Sequence, residues 1–192
     1  CSISLDSMTS GFNIASNITV DPGFNSMTAL THDEIKKLIS DMDISKTSDV
    51  YNEMLENYDG YCFNDKTEEL VFNPTLTMYY LNYYNRFNET PTNLLDSNIL
   101  SSFEQIKNII SLGDYKNILD DIFDNEEIVS SLKVNFDLNG DTIDKFDKSD
   151  IVSLLFYFGY LTIKERLLSN MYKFTIPNKI LKTVYGSYYS IL

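Results

Sequence analysis

The sequence predicts a mainly α chain with small β-hairpins and a winged-helix-like unit at its C-terminal end. Three observations lead there. SDIVSLLFYFGYLTIK (149–164) reads as a buried apolar helix running into a strand, and MYKFTIPN (171–178) supplies a second alternating strand. A short helix-like tail follows, completing a helix, hairpin, helix order. Upstream, apolar residues recur mainly at helical spacing and alternate over only two short runs.

Residues 1–23 are rich in Ser, Thr, Asn and Gly, and ISL (3–5) reads as the end of a strand before a loop and short helix. Thr31-His-Asp-Glu34 is a capping box, in which Thr31 accepts from the third backbone N–H and Glu34 reaches back. Ile35, Leu38, Ile39 and Met42 then follow at helical spacing. A second helix is expected from Asp49 to Tyr58, with Val50, Met54 and Leu55 on one face, stopped at Asp59-Gly60 where glycine can turn left-handed. Tyr61–Phe63 and Glu69–Phe72 flank a polar turn and read as a small hairpin. Asn73-Pro74 closes it, and Pro74 suits the first position of a helix to Phe87. Helices are expected near 98–112, 114–122 and 125–133, and 134–150 reads as a linker. Asp150–Phe158 is a helix ended by Gly159, Tyr160–Ile163 and Met171–Ile176 are paired strands, and Pro177 opens the last helix.

The totals restrict the possibilities. At 192 residues the chain holds one full domain or two small ones, and 43% hydrophobic against 22% charged residues is ordinary for a globular protein. Its longest apolar stretch, Ile151–Leu161, is interrupted by Ser153 and falls short of the roughly 18 to 20 residues of a bilayer span. No membrane partner and a cytoplasmic location are therefore expected. Asn17-Ile-Thr and Asn88-Glu-Thr match the glycosylation triplet, but nothing else points to secretion. Two cysteines, Cys1 and Cys62, make no disulfide framework, and a single histidine argues against a Cys/His zinc site.

The net charge of −13 argues against nucleic acid binding over the whole surface, but the charge is uneven. Residues 145–192 carry +4 and the first 144 carry −17, which places a boundary between a 1–144 region and a 145–192 unit.

Candidate chemistry is sparse. Asp137-Leu-Asn-Gly-Asp141 places oxygens as a calcium loop would, but Thr142 stands at the required glycine and Lys148 at the bidentate glutamate. It reads as a solvated turn. His32, in the capping box, reads as an exposed first-turn residue, and Cys62 as a buried thiol rather than a nucleophile. Asp120, Asp121, Asp124, Glu126 and Glu127 read as a solvated acidic face. Tyr58-Asp59-Gly60-Tyr61 reads as a helix stop: Asp59 caps backbone N–H groups, Gly60 turns, and both tyrosines pack with their hydroxyls satisfied.

Six strings in order give the chain a resemblance: ISLDSMTSGFNI (3–14), GFNSMTALTHDEI (23–35), YDGYCF (58–63), VFNP (71–74), TPTNLLDSN (90–98) and LLFYFGYLTIK with YKFTIPN (154–178). Over nearly its whole length the chain resembles bacterial AAA-ATPase-like proteins that carry a restriction-endonuclease-like nuclease domain at their C-terminus. Leu30 departs from the aromatic expected before the Thr. The resemblance implies that residues 1–144 are the helical lid and connector following a P-loop ATPase core, and that 145–192 is the winged-helix-like end before the nuclease. On this reading the chain is a piece of a larger protein, with core and nuclease as its partners in cis. It also implies that Ser10 and Asn13 lie nearest the nucleotide, and that Tyr58, Asp59, Gly60, Tyr61, Asn73 and Pro74 are structural motif residues. ATP and Mg are expected for the parent protein; the phosphate-binding loop and acidic metal-binding segment are missing from this sequence, so no catalytic residue, metal ligand or cofactor is carried over. If the tail contacts DNA or RNA, Lys164, Arg166, Lys173, Lys179 and Lys182 supply the phosphate contacts. The alternative is an independent acidic helical protein-interaction module without nucleotide.

Overall fold

The computed structural model describes residues 4–5, 18, 20–95, 104, 115–133, 135–136 and 146–189. Helix dominates these residues, joined by one small antiparallel sheet. Six α-helices lie among the described residues: α1 (His32–Asp41), α2 (Thr47–Tyr58), α3 (Pro74–Phe87), α4 (Lys116–Asn125), α5 (Lys148–Tyr157) and α6 (Lys179–Tyr189). The strands are β1 (Ser4–Leu5), β2 (Glu127–Ser131), β3 (Asn135–Phe136), β4 (Thr162–Leu168) and β5 (Met171–Thr175). β1 pairs in parallel with β3, while β2, β5 and β4 form the antiparallel sheet with β5 at its centre.

Local signals account for most boundaries. The capping box before α1 forms as expected, with Thr31 Oγ1 accepting from the Glu34 N–H and Glu34 accepting from the Thr31 N–H at 2.8 Å. The Asn73 side chain accepts from the Thr75 and Leu76 N–H groups, and Pro74 occupies the first turn of α3. A second capping box starts α5 two residues ahead of expectation: Asp147 accepts from the Ser149 and Asp150 N–H groups, and Asp150 reaches back to the Asp147 N–H. Asn178 rather than Pro177 caps α6, because its side-chain carbonyl can accept from the Leu181 N–H.

Three expectations are corrected. The segment 125–133 holds a strand, not a helix. Glu126 takes a left-handed φ of 56° that ends α4, and β2 then turns Ile128 and Ser130 inward and Val129 outward. Residues 61–63 and 69–72 form no hairpin ladder. Tyr61 exchanges two main-chain hydrogen bonds with Val71, while Phe72 pairs with Leu30 and Cys62 turns to β4. Leu55 is exposed, and α2 buries Val50, Met54, Asn57 and Tyr58 instead. The sheet also crosses the division at 144/145: its edge strand β2 lies N-terminal to it, as does α4, which packs on α6. Charge reports on the surface, whereas strand pairing is made by main chain. The expected helix near 98–112 lies outside the described residues except at Glu104, which is helical.

Two apolar cores result. One lies among α4, α5, α6 and the sheet, and includes Leu119, Ile122, Val152, Leu155, Leu161 and Phe174. The other lies among α1, α2 and α3, and includes Ile35, Ile39, Met54, Leu76, Tyr80 and Leu81. Consecutive residues feed different cores: Val71 the first and Phe72 the second, Leu181 the first and Ile180 the second.

The wall between them admits no side chain at Gly60. Its φ is +106°, and a Cβ there would stand 2.0 Å from the Pro177 carbonyl oxygen. Gly60→Ala is therefore expected to lower the unfolding free energy by about 3 kcal/mol or more in urea titration. Gly23→Ala, whose Cβ would meet only an Asp21 side-chain oxygen at 3.4 Å, should stay within about 0.5 kcal/mol. Equal effects at the two positions would contradict this packing.

Candidate functional site

Four of the strings that the sequence singles out, 23–35, 58–63, 71–74 and 154–178, meet at one seam between the two cores; 3–14 lies outside the described residues apart from Ser4 and Leu5. The first link joins Cys62 and Thr162. The Thr162 hydroxyl accepts from the Cys62 N–H at 2.6 Å and donates to the Cys62 carbonyl at 2.8 Å; the Ile163 N–H donates to the same carbonyl at 3.1 Å. Thr162 is 2% exposed, so water is not available to replace these bonds. The second link is the close seating of Gly60 on Pro177. The third is Asn25, whose side chain accepts from the Phe63 N–H at 2.9 Å and donates to the Glu69 carbonyl at 3.1 Å. Gly159, at φ +78°, ends α5 beside the Tyr61 ring and the Asn73 amide.

Both tyrosines of Tyr58–Tyr61 are buried, on opposite sides of the seam. The Tyr58 hydroxyl donates to the Leu94 carbonyl at 2.8 Å, and its ring meets the Tyr80 ring edge-on in the helical core. The Tyr61 ring lies in the sheet core with its hydroxyl beside Asn178 and Asn73. Burial pushes both phenols well above the ordinary tyrosine range. Asp59 lies between them, mostly buried. Burial holds its carboxyl above the usual range, opposed by the Gly60 N–H and by His32. Cys62 is buried, its Sγ donates to the Asn64 carbonyl at 2.9 Å, and burial pushes the thiol up.

His32 is not the freely exposed residue expected from its place in the first turn. It is 30% exposed, with Nδ1 2.8 Å from the Tyr51 hydroxyl, Nε2 3.6 Å from Asp59 Oδ2, and its ring edge-on to Phe72. Tyr51 lies 19 residues and Asp59 27 residues along the chain, and no spacing rule links such positions.

The five basic residues expected to contact phosphate all face carboxylates. Lys164 binds Glu127, and Lys173 binds Glu165 with Glu127 at 3.9 Å. Lys179 meets Glu56 at 2.6 Å, and Lys182 meets Glu126 at 2.6 Å. Arg166 lies 3.8 Å from Asp65, stacks over Tyr172, and donates to the Leu168 and Ser169 carbonyls, so its fork holds the β4–β5 turn. The Lys164 hydrogen bond holds the Glu127 carboxyl below the usual range, and the Glu165 hydrogen bond holds Lys173 above its own. Glu126 and Glu127 thus serve as ion-pair partners rather than a purely solvated face. Ser10, Asn13 and the 137–141 stretch lie outside the described residues. Among the described residues, no three His, Cys, Asp or Glu side chains are grouped to hold a metal ion, and no helix is long and apolar enough to cross a membrane.

Comparison of the chain with protein-family models, with curated proteins and with solved structures found no match.

The geometry at Thr162 sets a direct expectation. Thr162→Val leaves the buried Cys62 N–H without an acceptor and should cost about 2 kcal/mol in urea unfolding, while Thr162→Ser should recover most of it. In a Cys1→Ser background, the remaining thiol at Cys62 should react with a disulfide reagent only slowly in native buffer, and faster in Thr162→Val. A thiol that reacts equally fast in both would contradict the burial at the seam.

Proposed function

We propose that this chain is the non-catalytic lid and connector of an AAA-ATPase-like protein, coupling the nucleotide state of a P-loop core to a downstream nuclease or partner. The observation that carries the reading is the convergence of four of the six quoted strings on one seam. GFN, YDGYCF, VFNP, GYLTI and TIPN are distant in sequence, yet Asn25, Gly60, Cys62, Asn73, Thr162 and Pro177 meet within one set of contacts. A connector needs that property: force entering at the helices reaches the sheet through main-chain contacts that cannot slide. In this assembly ATP and Mg belong to the core.

The C-terminal part serves as a winged helix in this proposal. Its support is the order α4, β2, α5, β4, β5, with the returning strand of the β4–β5 wing central in the sheet. The ion pairs favour a protein rather than a nucleic acid as its partner. Each phosphate contact made by these lysines would first have to displace a carboxylate held nearby.

Two measurements test the proposal. The coding sequence upstream of Cys1 should contain a G-x-x-x-x-G-K-[ST] loop in the same reading frame. A start codon adjacent to Cys1 would overturn the connector reading and leave an acidic protein-interaction module. Titration of a fluorescent DNA duplex at low and moderate salt should show no saturable, salt-dependent binding. Such binding, if lost on charge reversal at Lys164 and Lys173, would overturn the assignment of the wing to a protein partner.

A further inference from the structure

The contacts of His32 differ in their response to a proton. Its Nδ1 lies 2.8 Å from the Tyr51 hydroxyl, a bond that survives in either state: a neutral ring accepts the phenol proton, and a charged ring donates to the phenol oxygen. The Asp59 side behaves differently. At 3.6 Å the Nε2–Oδ2 separation is long for a hydrogen bond from a neutral imidazole but close enough for a charge pair. Asp59 is only 12% exposed, and its other oxygen, Oδ1, is buried without a partner. An ionised Asp59 has the Gly60 N–H beside it, and a charged His32 adds the counter-charge it otherwise lacks.

We propose that His32 is a pH-operated latch on the seam, whose protonation gives Asp59 its counter-charge and draws the Asp59–Gly60 turn onto the start of α1. The surrounding charges leave this pairing to the two residues. On α1, Glu34 is held by Thr31 and Asp33 lies 3.8 Å from Lys36. On α2, Tyr51 carries Lys36 over its ring at 5.2 Å. Phe72 contributes an uncharged ring edge. On the α6 side of the turn, Lys179 and Glu56 satisfy one another. The latch acts beside the close approach of Gly60 to Pro177, where an added Cβ would stand 2.0 Å from the Pro177 carbonyl oxygen.

The sign follows from linkage. The pair needs a charged His32 and an ionised Asp59. When rising pH removes the imidazolium proton, the counter-charge is lost and the latch releases. As pH falls, Asp59 takes up a proton and the pair is lost again. Burial raises that lower limit above the ordinary aspartate value. The seam is tightest at mildly acidic pH. This inference is independent of the ATPase reading and stands or falls on the two side chains.

A double-mutant cycle tests it. Thermal unfolding of the whole chain is measured at about pH 5.5 and about pH 7.5 for wild type, His32→Gln, Asp59→Asn and the double variant. The expected result is a non-additivity of roughly 2–4 °C in Tm at the acidic pH that vanishes at the higher one. Equal coupling at both pH values, or none at either, overturns the latch. Should Asp59→Asn fail to fold, amide exchange over residues 58–63, corrected for intrinsic rates, decides. Protection should be several-fold greater at the acidic pH in wild type and pH-independent in His32→Gln. Protection that is the same at both pH values in wild type overturns the latch.

Discussion

The reciprocal hydrogen bonding of Thr162 with the Cys62 backbone, beside the seating of Gly60 on Pro177, is the constraint on which the rest of this structure depends. Residues 100 positions apart share one hydroxyl that both accepts and donates. Neither bond is open to water. The backbone can approach this closely only because position 60 has no Cβ and can hold a positive φ. Once the Tyr58–Phe63 segment is fixed there, its alternation sends Tyr58 into one core and Tyr61 into the other. The same division recurs at Val71–Phe72 and Ile180–Leu181, so three segments form a wall with an apolar face on each side. Close-packed protein interiors have low compressibility and transmit strain.

The electrostatics follow the same plan. In a chain of net charge −13, Lys164, Lys173, Lys179 and Lys182 all lie close to carboxylates. Lys179–Glu56 and Lys182–Glu126 join α6 to α2 and to the start of β2, across the division that the charge distribution suggests. Exposed pairs of this kind contribute little stability, typically a few tenths of a kcal/mol to about 1 kcal/mol. Their larger effect is to set carboxylates against the lysines of β4, β5 and α6. Lys133 adds a partly buried example. Burial works against its charge, but hydrogen bonds to Asp150 and Asp147 outweigh it and tie β2 to the start of α5.

Much of this fold is legible in the sequence because short-range chemistry controls it. The Thr31–Glu34 box, the Asn73-Pro74 helix start, the glycine stops at 60 and 159 and the terminal hairpin all depend on residues within a few positions of one another. Segments governed by distant partners are less legible. Residues 127–131 read as helix until β5 is placed beside them, although the Ile128-Val129 pair and inward Ser130 are a strand signal in retrospect. Residues 61–72 look like a hairpin by local pattern, yet their hydrogen bonds are divided among Val71, Leu30 and Thr162. The candidate site shows the same limit. The motif residues are visible as strings, but nothing local foretells that Gly60 meets Pro177 or that His32 meets Asp59 and Tyr51.

The central claim is that the two cores behave as one mechanical body through the seam. Differential scanning calorimetry of the whole chain tests it most directly. The structure predicts a single transition whose calorimetric and van't Hoff enthalpies agree, since neither core keeps its wall without the other. Two resolved transitions, or a van't Hoff enthalpy well below the calorimetric one, would show that the cores unfold separately and would contradict the claim.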